Sequence, residues 1–278
     1  MATEPRPALD PAIAEYYGRA PEESRLEHGA FRLEQARTRE LIERHAPPPP
    51  ATVLDVGGAA GAYALWLASL GYDVHLVDPV PRLVSEAARR SEAATRHLVS
   101  CRVGDARALD FPDAAADLVL MLGPLYHLTE RTDRVRALGE ARRVLKTGGR
   151  LLLAAISRFA SALDGLSREL FADPRFGAIV TRDLHDGQHR NTTERLDYFT
   201  TAYFHRPDEL ALELTDAGLA VEGIHGIEGP GWLFPDIAER MQDDRRRSEV
   251  LHVARLLESE PSVVGASAHI LAVAVSIG

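Results

Sequence analysis

The stretch TVLDVGGAAGA, Thr52 to Ala62, begins as a strand and ends as a helix. Thr52 to Val56 is a run of β-branched and apolar residues, the pattern of a strand buried on both faces. Gly57, Gly58 and Gly61 then mark a turn whose backbone can approach a ligand closely, and the helix that starts at Gly61 presents free amide groups to it. Working outward, the alternation recurs. Residues 74–77 are strand and 81–96 helix; 98–103 and 117–122 are strands; 133–146 is helix and 150–156 strand. Strands alternating with helical runs imply βαβ units, a parallel sheet covered on both faces and right-handed crossovers, hence a doubly wound α/β fold.

The four prolines Pro47 to Pro50 end a helix-prone segment, 22–44, because proline lacks the amide hydrogen a helix needs. Residues 1–46 are therefore expected to form an N-terminal helical cap, and 51–156 the central unit. Residues 157–206 break the rhythm. A helix over 157–170 is followed by a polar stretch rich in His, Asp and Asn, expected as a lid or ligand-binding insertion. Residues 207–278 complete the sheet with a helix at 208–217, a strand at 219–227, a long helix at 235–258 and a final strand at 269–277.

Composition excludes several classes. The 278 residues carry 32 Lys plus Arg against 41 Asp plus Glu, a net charge of −9, so the chain lacks the positive field that draws polyanions and no nucleic acid partner is expected. Lys146 is the sole lysine and falls in a KTGG turn, which argues against covalent lysine chemistry. With Cys101 alone, neither an internal disulfide nor a thiolate metal site is available. HDGQH at 185–189 lacks a third ligand and is expected as a solvated loop, so no metal is predicted. No apolar run approaches the roughly 18 residues that span a bilayer. The first residues show no basic segment followed by an apolar stretch, so a cytoplasmic protein without a membrane partner is expected.

Three acids follow three successive strands. Asp55 lies two positions before the first glycine, where it would repel a pyrophosphate and suit a ligand bearing a cationic amino group. Asp78 ends the second strand and can accept two hydrogen bonds from a ribose diol. Asp105 follows the third strand, placed to meet an adenine amino group. Singly, each also fits an ordinary strand end or turn. Together with VLDVGGAAG at 53–61, HLVD at 75–78, VGDA at 103–106, LMLGPLYHL at 120–128 and EARRVLKTGGRLLLA at 140–154, they resemble the class I S-adenosylmethionine-dependent methyltransferases. YY near residue 16, LEQARTRE at 33–40, AYFHRPDEL at 202–210 and EGPGW at 228–232 look like actinobacterial small-molecule members of that class.

The resemblance implies a Rossmann-like, mostly parallel seven-stranded sheet with S-adenosyl-L-methionine as cofactor and S-adenosyl-L-homocysteine as product. By it, Asp55, Gly57 and Gly58 border the methionine amino group and Gly61 lets the helix approach. Asp78 and Pro79 hold the ribose, Asp105 and Ala106 flank the adenine, and Leu122 and Gly123 line the methionine side. The family usually has glycine where Ala59 stands. Leu26, Ala30, Leu33, Arg37 and Leu41 follow helical spacing, which puts Arg37 on an apolar stripe. It is expected either to clamp the cofactor carboxylate, with Tyr16 and Tyr17 closing over the site, or to pair structurally with Glu34.

His127 follows the fourth strand, where acceptors sit in this class, and is the candidate base, with Tyr126 beside it. Tyr16, Tyr203, His205 and Trp232 are candidates to surround an acceptor, with Trp232 offering a flat wall to an aromatic one. The motifs of amino-DNA methylation, cytosine-carbon methylation and arsenic methylation are absent, which leaves a small molecule, with natural-product tailoring as the family-level expectation and a monomer or homodimer as the assembly. The alternative is a protein that binds the cofactor without transferring methyl.

Overall fold

The computed structural model describes residues 10–19, 29 and 31–278. Two helices precede the sheet, α1 (Pro11–Arg19) and α2 (Phe31–His45). Leu33, Arg37 and Leu41 share the buried side of α2, while Leu26 and Ala30 lie outside the described residues. The central unit then runs β1 (Thr52–Val56), α3 (Ala62–Ser69), β2 (Asp73–Asp78), α4 (Pro81–Glu92), β3 (Ser100–Val103), β4 (Ala116–Met121), α5 (Pro124–His127), α6 (Arg131–Val144) and β5 (Leu145–Ile156). The insertion holds α7 (Ala160–Ser167), α8 (Pro174–Asp186) and a small antiparallel ribbon, β6 (Gln188–His189) with β7 (Ala202–Tyr203). The chain closes with α9 (Pro207–Asp216), β8 (Leu219–Gly226), α10 (Ile237–Arg240), α11 (Asp244–Leu257) and β9 (His269–Ser276).

Seven strands form one sheet in the order β3-β2-β1-β4-β5-β9-β8. The first five are parallel, and β9 runs antiparallel to both of its neighbours. Alternating side chains supply two cores. Leu54 and Val56 of β1 pack with Leu138 and Ala141 of α6 and Leu210 and Leu214 of α9. Val53 packs the other way, with Leu41 of α2, Leu67 of α3 and Ala87 of α4. The chain builds outward from β1 to β3 and then returns to β4 beside β1. The loops after β1 and β4 therefore diverge at the carboxyl edge and leave a crevice between them.

Four expectations are corrected. The long helix expected over 235–258 is two helices, because the Asp243 carboxylate accepts from the Arg246 N–H at 2.9 Å and caps a new start. The helix expected over 157–170 spans only Ala160–Ser167. Strand β5 begins at Leu145, so Lys146 lies within it, its Nζ 2.7 Å from Asp117. HDGQH is not a solvated loop throughout. His185 is exposed, but His189 is buried between Asp183, 2.9 Å from Nδ1, and the Tyr198 carbonyl, 2.8 Å from Nε2.

A buried ion pair joins the insertion to the core. Arg134 of α6 grips Glu213 of α9 through Nε and Nη2 at 2.7–3.1 Å, and its Nη1 donates to the carbonyls of Leu128 and Thr129. It thus pins the loop that follows α5. Tyr203 stacks 3.6 Å from the same guanidinium, and His205 Nε2 lies 3.4 Å from Glu213. Burial pushes the Glu213 carboxyl up, but hydrogen bonds from His205 and Arg134 outweigh it and hold it well below the usual range. Arg134→Met strands a buried carboxylate and should cost about 3–5 kcal/mol in urea unfolding; a loss below about 1 kcal/mol contradicts this. Because the folded carboxyl sits below its ordinary value of 4.5, the pair stabilises fully above that pH and loses its contribution as pH falls beneath it.

Candidate functional site

The crevice at the strand reversal is a cavity of about 410 Å³. Sheet order lays its walls out in sequence. Gly104 to Arg107 follow β3, Asp78 to Val80 end β2, and Asp55 to Ala60 end β1. Leu122 to Pro124 and Tyr126 to Thr129 follow β4, then come Ala154 of β5, His269 of β9 and Ile227 after β8. Asp10, Ile13 and Tyr17 close over it from the N-terminal side, and Glu34 and Thr38 of α2 complete the wall.

The loop after β1 needs its small residues. Gly57 has φ +75°, and a Cβ there would sit 2.5 Å from Pro124 Cδ, so this glycine lets the loops after β1 and β4 touch. A Cβ on Gly58 would lie 2.7 Å from Asp55 Oδ2. Ala59 adopts φ +47°, the left-handed region that favours glycine, and its N–H donates to Asp78 Oδ2 at 2.9 Å.

Asp55 is buried beneath this loop, and its Oδ2 has no hydrogen-bond partner among the described residues. Burial raises its pKa to about 7, with the neighbouring Asp78 charge adding to the shift and the Ala64 N–H opposing it. Asp78 is fixed by the N–H groups of Ala59 and Val80, each at 2.9 Å. Asp105 lines the cavity, but Arg107 grips both of its oxygens at 2.8–2.9 Å and continues to Asp133 at 2.7 Å.

His127 ends α5 rather than lying in a loop. Its Nδ1 faces the Thr201 carbonyl at 3.3 Å and its Nε2 the Tyr17 hydroxyl at 2.7 Å. A carbonyl only accepts, so Nδ1 carries the hydrogen and Tyr17 donates to Nε2. Enclosure lowers the imidazole pKa to about 4, although the Thr201 carbonyl and the Asp10 charge oppose the shift. The ring is uncharged at neutral pH. Tyr126 packs against it with centroids 4.7 Å apart.

Several expected residues lie elsewhere. Arg37 does not line the cavity: fully buried, it donates to Glu40, Glu258 and the Ile227 carbonyl, which turns its guanidinium away from a cofactor carboxylate. Its structural partners are these and not Glu34. Tyr16 packs edge-on against Tyr17 and Phe199 outside the chamber. Tyr203 and His205 belong to the Arg134–Glu213 network, and Trp232 Nε1 donates to the Ala266 carbonyl at 3.0 Å. Gly61, at φ +82°, starts α3 below the loop, whereas Gly58, Pro79, Ala106, Leu122 and Gly123 do line the cavity.

Sequence reasoning passed over Glu34, Thr38 and His269. Glu34 and Thr38 are four apart on α2 and so share a face. His269 begins an antiparallel strand, which puts it at the same edge as the parallel strands' carboxyl ends. That signal was available.

Comparison with known proteins agrees with the geometry. Residues 54–153 match the model of a methyltransferase domain. The chain is 35% identical over 156 residues to a ubiquinone/menaquinone biosynthesis C-methyltransferase of Acidiphilium cryptum, covering 54% of this chain and 61% of that protein. It is 30% identical over 195 residues to a ubiquinone biosynthesis O-methyltransferase of Xanthomonas axonopodis, covering 69% and 72%. A solved S-adenosylmethionine-dependent methyltransferase of Mesorhizobium loti superposes with TM-score 0.57 at 17% identity, covering 87% of this chain and 99% of that one. The chain belongs to the class I S-adenosylmethionine-dependent methyltransferases, whose methyl donor is S-adenosylmethionine. The residues present fit that donor: an unpartnered buried carboxylate oxygen suits a cationic ligand, and the loop at Gly57 and Gly58 has no room for side chains.

Arg37→Lys separates architecture from binding. It should lower the melting temperature, because buried Glu258 and half-buried Glu40 lose their fork-shaped partner. Calorimetry should find S-adenosylhomocysteine affinity within about twofold of the parent, since Arg37 lies outside the cavity; roughly a tenfold loss, about 1.4 kcal/mol, would restore it to the site.

Proposed function

We propose that the protein transfers a methyl group from S-adenosylmethionine to a small-molecule acceptor bound beside His127, in natural-product metabolism. The observation that carries this is the single enclosed volume shared by the acid-lined end, with Asp55 and Asp78, and the aromatic end, with Tyr17, Tyr126 and His127. A chamber of this size covered by α1 suits a metabolite. The relatives named for quinone biosynthesis, and the resemblance to actinobacterial enzymes around Tyr16, Leu33 to Glu40 and Ala202 to Leu210, support a small, aromatic acceptor.

When bound, the donor supplies a methyl group carried on positively charged sulfur. Asp78, oriented by the N–H groups of Ala59 and Val80, is the acceptor for the ribose diol. Asp55 favours the donor's positive charge, and Gly57, Gly58 and Gly61 let backbone approach it. Ala106 flanks the adenine, with Asp105 oriented by Arg107. Leu122 and Gly123 line the methionine side, and Pro79 borders the ribose. Ile13 and Tyr17 of α1 cover the chamber and exclude water. His127, an uncharged imidazole with a pKa near 4 whose nitrogens are taken by Thr201 and Tyr17, offers the acceptor a packing surface and is too weak a base to store its proton. Tyr126 packs behind it.

The proposal extends to a cytoplasmic enzyme acting as a monomer or homodimer. The competing reading, binding without transfer, rests on Ala59, whose left-handed backbone occupies a position the family fills with glycine.

Calorimetry with S-adenosylhomocysteine should show one site per chain. Asp78→Ala should weaken it roughly tenfold or more, the loss of hydrogen bonds to a charged group. Methyl-labelled S-adenosylmethionine offered with phenols, aromatic amines and indoles should label at least one class. Binding without label in any class supports the non-transferring reading, and absence of binding removes both.

A further inference from the structure

Behind the aromatic end of the chamber, the insertion holds a histidine whose hydrogen bonds require a charge. His189 of β6 and Asp183 of α8 are both buried. The histidine Nδ1 lies 2.9 Å from Asp183 Oδ2, and its Nε2 lies 2.8 Å from the Tyr198 carbonyl oxygen. A carboxylate and a carbonyl only accept, whereas a neutral imidazole carries a single N–H. Two donations therefore need one more proton on the pair, and imidazole is ordinarily a stronger base than a carboxylate. The ring of Phe204, stacked 4.7 Å away at 11°, presents the negative face that attracts a cation. Asp183 Oδ1 has no hydrogen-bond partner among the described residues, so the imidazolium is what balances this buried carboxylate. The other charged groups packed around the pair are engaged elsewhere. Arg190 donates to the His189 and Ala202 carbonyls, and Arg158 donates to the Phe204 carbonyl and to Glu209. Asp186 accepts from the Gln188 N–H, and Asp173 accepts from Arg175 and the Tyr198 hydroxyl.

From Tyr198 the chain leads directly to the chamber. Phe199 takes φ +67° and ψ −167°, a region that glycine alone adopts with ease and that persists only where neighbours enforce it. Here they do so on both sides. His189 holds the Tyr198 carbonyl before the twist, and Asn191 Nδ2 donates to the Phe199 carbonyl at 2.7 Å. After the twist, the Thr200 hydroxyl donates to the Ala12 carbonyl of α1 at 3.2 Å, and the Thr201 carbonyl accepts from His127 Nδ1 at 3.3 Å. The Phe199 ring lies 5.4 Å from the Tyr16 ring and 5.8 Å from that of His127. The run Tyr198 to Thr201 thus ties the buried pair to the helix that covers the chamber and to the imidazole that lines it.

Resting on the methyltransferase reading above, we propose that His189, held as an imidazolium by Asp183, is a positioning residue that fixes His127 and α1 at the acceptor end of the chamber. His189 does not itself line the cavity. Its charge supplies two hydrogen bonds at once, one to α8 and one to Tyr198. A glutamine in its place donates from one end only and keeps one of them. With the Tyr198 carbonyl released, the twist at Phe199 is no longer enforced, and Thr200 and Thr201 lose their register on Ala12 and His127. The donor's wall, at Asp55 and Asp78, stays as it is.

The test reads the ring nitrogens of 15N-histidine-labelled protein by NMR at pH 7, with His189→Gln and His127→Phe spectra as assignments. In the wild type His189 should carry hydrogen on both nitrogens and His127 on Nδ1 alone. Asp183→Asn should return His189 to a single hydrogen. His189→Gln should leave His127 as a mixture of tautomers. It should also lower kcat/KM roughly tenfold or more for whichever of the phenols, aromatic amines or indoles the wild type labels. Its S-adenosylhomocysteine affinity should stay within about twofold.

A single hydrogen on wild-type His189 overturns the proposal, as does an unchanged His127 spectrum or an unchanged kcat/KM in folded His189→Gln. A loss of S-adenosylhomocysteine affinity as large as the loss in rate also overturns it, because the residue then acts on the donor. If His189→Gln does not fold, Thr200→Val removes the bond to Ala12 and leaves the buried pair intact. It should cut kcat/KM for the acceptor roughly threefold or more, and an unchanged rate overturns the link. Wild-type protein that does not bind S-adenosylhomocysteine refutes the methyltransferase reading, a separate result, and the two histidine spectra then decide the clamp.

Discussion

A carboxylate buried at the end of the first strand governs the site. Asp55 has one oxygen without a partner and a second acid, Asp78, as neighbour, and its pKa rises to about 7. In the interior such a charge is costly unless a cation arrives. The surrounding loop is shaped by the same constraint. Gly58 leaves room for the Asp55 carboxylate, Gly57 lets the loop after β4 close against it, and the Ala59 N–H turns away to fix Asp78. One buried acid thus links the strand, the glycine turn and the ligand's charge.

The far side of the chamber is organised by arginine. Arg134 binds the loop after α5 and the helix α9, while Tyr203 and His205 from the insertion pack on that pair. His127 is therefore placed by a network whose side chains do not line the cavity. Arg37 does the same on the opposite flank, joining α2 to Glu258 at the end of α11 and to the Ile227 carbonyl beside the His269 wall. An arginine-rich, lysine-poor chain uses its forked cations here to lock loops together.

What was legible follows from the range of each interaction. Strand and helix alternation from Thr52 to Ile156 is local, and so is the glycine turn; both are visible in sequence, as are Asp55 and Asp78 at successive strand ends. Arg37 was correctly placed inside, but its partners Glu258 and Ile227 lie about two hundred residues away, and no spacing rule selects them over Glu34. Tyr203, His205 and Trp232 were chosen for their chemistry alone, and packing took them elsewhere. His269 was missed for a different reason: antiparallel β9 brings its first residue, not its last, to the ligand edge. The break at Asp243 is a side-chain cap inside an otherwise helical pattern, where one hydrogen bond outweighs periodicity.

The central claim, that Asp55 awaits a positive charge, is tested most directly by the protons exchanged on binding. A carboxyl with pKa about 7 is largely protonated at pH 6 and must ionise to meet the ammonium group of S-adenosylhomocysteine. Calorimetry in buffers of different ionisation enthalpy should therefore record release of close to one proton per site near pH 6. Affinity should rise toward pH 7, level above it, and lose this dependence in Asp55→Asn. Binding with no proton exchange and the same affinity on both sides of pH 7 would contradict the account.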